Sequence, residues 1–142
     1  MKKVLIALLL CLPLSVFAQE DYEMGSYWTV TGVETKPGKF EAYVGDLKSL
    51  WRKEMEMLMA AGKIKSYKLF TNVHGRHGEP TMWMMVEWSS AGAMMDTPYE
   101  DWAAMTEELV GSMDESRDLS IKRGELRTIM GDTLLREFSF RE

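Results

Sequence analysis

The segment Thr81 to Trp88, TMWMMVEW, constrains the fold more than any other part of the chain. It is apolar and rich in strand-favouring residues, and successive side chains of a strand point to opposite faces. One face carries Met82, Met84, Val86 and Trp88, and the other carries Trp83, Met85 and Glu87. Both faces are mostly apolar, so this strand needs cover on both sides. Any fold for the chain has to supply two covers for one central strand.

One cover is visible in the sequence. Pro37 to Gly62, PGKFEAYVGDLKSLWRKEMEMLMAAG, reads as a single long helix. Phe40, Tyr43, Leu47, Leu50, Trp51 and Leu58 recur at spacings of three and four, which places them on one helical stripe. Lys39, Glu41, Asp46, Lys48, Arg52, Lys53 and Glu56 fall largely off it. Pro37 suits a first turn, where its missing N–H is no loss. Gly62 suits the left-handed position that closes a helix. Gly45 lies inside and weakens the helix by about 1 kcal/mol relative to alanine.

Around this pair the rest of the chain falls into order. Gln19 to Gly25 reads as a polar lead-in and Ser26 to Thr35 as a first strand. Lys63 to Val73 alternates, with Tyr67, Leu69, Thr71 and Val73 on one face, and forms a hairpin with 81–88 through the loop His74 to Pro80. Ser89 to Asp96 is a linker or a short helical turn. Thr97, Pro98 and Glu100 have the spacing of a capped helix start, followed by Trp102, Met105, Leu109 and Met113 at helical intervals. Asp114 to Met130 suggests a third helical stretch with Gly124 as a break, and Thr133 to Phe140 a last strand.

Residues 1–18 stand apart. Lys2 and Lys3 precede an apolar run from Val4 to Leu14, and Val16-Phe17-Ala18 ends in the small residues of a cleavage site. This is the anatomy of a secretory signal peptide. The run is shorter than the ~20 residues needed to span a bilayer. Leu9 and Leu10 before Cys11 speak against a lipoprotein signal. The expectation is an exported, periplasmic or secreted chain of one domain, residues 19–142, with no membrane attachment after cleavage. Cleavage removes Cys11, the only cysteine, so the mature chain holds together by its core without a disulfide. It also removes Lys2 and Lys3 and takes the formal charge from −5 to −7. An acidic chain without a basic stripe is a poor partner for nucleic acid.

The expected order is strand, long helix, strand, strand, helical region, strand. That is the β-α-β-β-α-β pattern of a ferredoxin-like α+β sandwich. The first strand running into VETKPGKFEAY (Val33 to Tyr43), the long helix, and GKIKSY (Gly62 to Tyr67) together resemble the dimeric α/β-barrel superfamily. Within it, the chain is similar to NIPSNAP-like and antibiotic-biosynthesis-monooxygenase-like proteins. The resemblance covers most of the mature chain as a pattern, and its local motif is the turn Lys36 to Lys39. It implies a homodimer in which the Trp83/Glu87 face meets a second sheet. The segment Asp114 to Met130 is longer than the minimal family pattern requires.

Several residues invite chemistry. His74 and His77 are the only histidines, and imidazole is a common metal ligand. They lie three apart in a glycine-flanked loop, and a solvated hairpin explains them better than a metal site. The resemblance extends to haem-binding proteins with an axial histidine on a helix, but neither histidine is expected on one. The thirteen methionines raise the question of Cu(I), yet Met55 and Met59 alone share a face in their densest cluster, and core packing accounts for them. The residues thus point to no metal and no cofactor.

The candidate pocket is aromatic and polar. Glu87 interrupts an apolar strand, and a carboxylate there should be paired or face a cavity. Arg136, central in the last strand, is its candidate partner. Trp28, Asn72 and Trp83 complete the set, since cofactor-independent monooxygenases of the resembled superfamily line a barrel pocket with Asn, Trp and Tyr. Three readings follow: a small-ligand-binding protein, a cofactor-independent monooxygenase or isomerase acting on an aromatic or polyketide-like molecule, and a structural or stress protein with a filled core.

Overall fold

A computed structural model describes residues 21–142 of the chain. The expected leader, 1–18, lies outside the described residues. Four strands, β1 (Tyr22–Thr35), β2 (Ile64–Thr71), β3 (Met82–Trp88) and β4 (Arg127–Phe140), form one sheet in the order β2-β3-β1-β4. Every neighbouring pair is antiparallel. β1 and β4 are longer than the sequence suggested. The polar lead-in from Tyr22 joins the ladder because Tyr22 and Met24 find partners in Phe140 and Phe138.

The central helix runs over 40–60 in three parts. α1 (Phe40–Asp46) and α2 (Arg52–Ala60) flank a π-helical turn, Leu47–Trp51. Tyr43, Leu47, Trp51, Met55 and Leu58 are buried. Leu50, expected on that stripe, is only half-buried, and Met55 takes the place. The wider π turn accounts for this, since a spacing of four then stays in line through the middle of the helix. Gly62 closes the helix as expected, with φ at +68° and Lys63 N donating to Leu58 O.

The helix packs on the face of the sheet that carries Val33, Met82, Met84, Val86 and Trp88, all buried. Trp51 meets Tyr67 of β2 edge to face, 5.2 Å between ring centroids. α3 (Ala91–Met95) is capped by Ser90, α4 (Tyr99–Val110) follows, and α5 (Met113–Gly124) is capped by Ser112. Thr97 does not cap α4. Its hydroxyl donates to Ala93 O and accepts from Lys63 Nζ, and Pro98 takes the cap position. α5 joins the same helical layer: Arg123 bonds Asp46 on α1, and Leu126 packs against the core.

Candidate functional site

Pairing in the sheet fixes what lies on its other face. Strand alternation and register arrange that face in rows. Ser66, Glu87, Trp28 and Leu135 form the first row, from β2 to β4. Lys68, Met85, Val30 and Thr133 form the second, and Phe70, Trp83, Gly32 and Gly131 the third. Trp28, Val30, Trp83 and Met85 are half-buried, while Phe70 and Leu135 are 47% exposed. No described helix covers this face.

Glu87 is held in a polar clasp at one end. Ser66 Oγ donates to its Oε2 at 2.7 Å, and Lys65 Nζ lies 4.0 Å from its Oε1 while donating to Ser26. Hydrogen bonds from Ser66 and then Ser26 hold the carboxyl below the usual carboxylate range, against the opposing effect of burial. Lys65 and Lys68 act in the same direction. Glu87 is therefore an anion with its lone pairs partly satisfied, set beside Trp28. Lys68 Nζ stands 5.2 Å from the Trp28 ring, and Trp28 Nε1 donates to Glu137 at 3.4 Å.

The expected Glu87–Arg136 pair does not form. Arg136 is the partner of Tyr27, and its guanidinium sits 4.9 Å from that ring, on the helix-bearing face. β1 also stands between β3 and β4. Arg136 still borders a hollow of about 390 Å³ lined by Trp28, Met85, Leu135, Glu137 and Phe138. Asn72 belongs elsewhere too. Its amide donates to Pro80 O and Glu79, and its Oδ1 accepts from His74 N, so it pins the hairpin loop. His74 and His77 are exposed in that loop, and no three His, Cys, Asp or Glu among the described residues converge on a metal position. Trp28, Trp83 and Glu87 thus share one face, while Asn72 and the Arg136 guanidinium leave it.

The sequence reading missed Ser66, Lys68 and Phe70 on this face. The alternation of β2 contained the signal, because assigning Tyr67 and Leu69 to the helix side places these three opposite. Ser26 gave no such signal, since a bulge between Met24 and Tyr27 sets its direction.

No protein-family model matches the sequence, and no curated protein matches it significantly. Solved structures do match. HapK from Hahella chejuensis superposes with a TM-score of 0.51 at 5% identity, covering 78% of this chain and 91% of HapK. The topology and this likeness agree. The chain has a ferredoxin-like fold. A dimeric ferredoxin-like protein from an uncultured marine organism is also similar, with a TM-score of 0.48 at 12% identity over 84% of this chain and 91% of that one. At such identities the likeness is one of fold. What the ferredoxin-like sheet can do rests on the residues of its open face.

Proposed function

We propose that the protein is an exported homodimer that binds a small, largely apolar or aromatic ligand between two facing sheets, as in a dimeric α/β barrel. The carrying observation is the uncovered face, where Trp28, Val30, Phe70, Trp83, Met85 and Leu135 share one side of the sheet with the ionised Glu87 at its end. A soluble monomer rarely leaves so large an apolar patch to water. The segment 114–130 does not supply the cover, because α5 is bound to the central helix on the other side. A second copy does so by two-fold contact, sheet on sheet. The finer resemblance, to NIPSNAP-like or antibiotic-biosynthesis-monooxygenase-like proteins, fits this reading.

A carboxylate beside Trp28 favours a second reading, a cofactor-independent monooxygenase or isomerase using the same pocket. Oxygen uptake with a panel of polyphenols separates the two. A face filled solid by its partner, with no ligand bound, would instead leave a structural protein.

Light scattering on residues 19–142 should give twice the chain mass, and Met85→Arg should dissociate or unfold the dimer. A stable monomer at high micromolar concentration would overturn the barrel. Export is tested separately: N-terminal sequencing of the exported protein should start at Gln19.

A further inference from the structure

On the opposite side of the sheet from the proposed ligand space, α2 and α4 leave a groove between them. One part of it holds about 460 Å³, within the range of small-molecule sites. The floor is apolar and shallow-sided: Met57, Ala60 and Ala61 from the end of the central helix face Ala104 and Met105 of α4. Ala104, Met105 and Glu108 follow Asp101 at three, four and seven residues, which is one stripe of α4. The groove exists because both helices present alanine where they approach. Methyl groups do not fill the gap that larger side chains would close. A second hollow, of about 470 Å³, continues along the same helices and shares Met57, Ala60 and Glu108.

The charge on its α4 side has one sign. From Ser89 to Ser116 the chain has seven carboxylates and no lysine or arginine. Asp101 and Glu108 both line the groove, and neither is in an ion pair among the described residues. Lys63 at one end donates to Thr97 at 3.0 Å, and Lys53 lines the continuing hollow beside Glu56, so that carboxylates (Glu56, Asp101 and Glu108) outnumber cations across the two hollows. Trp102 lines the same groove and offers an aromatic surface to a cation. We propose that this groove binds an organic cation with an apolar tail, its ammonium group held by Glu108 and Asp101 and its tail laid over the alanines and methionines. This site is independent of the sheet face and of the dimer.

The test compares three probes with the same tail: octyltrimethylammonium, octyl sulfate and octyl glucoside, each below its micelle concentration. Calorimetry on residues 19–142 should find the cation bound about tenfold more tightly than either of the others, as charge pairing and an aromatic surface predict. Glu108→Gln should weaken the cation by about fivefold and leave the glucoside unchanged. Ala104→Trp, an exposed change that fills the groove, should abolish binding while circular dichroism and the melting temperature stay near those of the parent. Equal affinity for cation and sulfate would overturn the proposal, as would cation binding that survives both substitutions in a folded protein. A cation that protects Trp28 rather than Trp102 resonances in NMR titration would overturn it in favour of the sheet face.

Discussion

Arg123 and Asp46 are joined across 77 positions of sequence by a hydrogen bond of 2.6 Å from the guanidinium Nε to the carboxylate. Both side chains are about one fifth exposed, at 17% and 21%. The bond fastens α5 to the central helix. Removing one partner leaves the other poorly solvated, and such a group costs about 1–3 kcal/mol. Arg123→Ala should therefore lower stability by about that amount in urea melts. Arg123→Lys should recover only part of it, because lysine lacks the planar fork.

Glu54 gives this corner a pH dependence. Burial raises its carboxyl above the ordinary value, and Arg123 opposes the shift only in part. A carboxyl raised in the folded state favours folding while it is protonated. Its contribution is present below the unfolded value of about 4.3 and is lost as pH rises through the folded one. Glu54→Gln should thus raise the melting temperature at pH 7 and lose that advantage in acid. A variant less stable than the parent at pH 7 would show that attraction to Arg123 dominates. Glu87 acts with the opposite sign: its lowered pKa supports the fold at neutral pH and ceases to do so as the carboxylate protonates.

The same substitution should have opposite effects at two glycines. Gly45 is inside α1 with open space where a Cβ would lie, so Gly45→Ala should stabilise by about 1 kcal/mol. Gly62 has φ at +68°, and an alanine there costs about 1–2 kcal/mol although nothing blocks its methyl group. Urea melts of both variants measure the difference directly.

Trp51 is buried against Tyr67, so Trp51→Ala should cost about 3–5 kcal/mol. Lys53, two residues on, is exposed, and Lys53→Ala should stay within about 0.5 kcal/mol. Equal losses would place the helix in a different phase on the sheet.

Local periodicity determined much of this protein. The two faces of β3, the stripe of the central helix and its stop at Gly62 follow from side-chain direction over a few residues. Those residues need no distant partner to set it. The finer errors arose where a local pattern met an irregularity. The π turn at Leu47–Trp51 buried Met55 in place of Leu50. Thr97 had the spacing of a cap but was taken by Lys63 from another part of the chain.

The candidate site depended on register. Pairing Glu87 with Arg136 required β4 to lie beside β3 with both side chains on one face. β1 lies between them, and bulges at Met24/Tyr27 and Gly32/Val33 set which residues of β4 face which way. A slip of one residue turns every side chain of a strand over. Sequence alone therefore determined that β3 has two apolar faces. Only the tertiary structure decided that Trp28, Glu87 and Ser66 share the open one, because strand order and bulge position are long-range properties that no single segment contains.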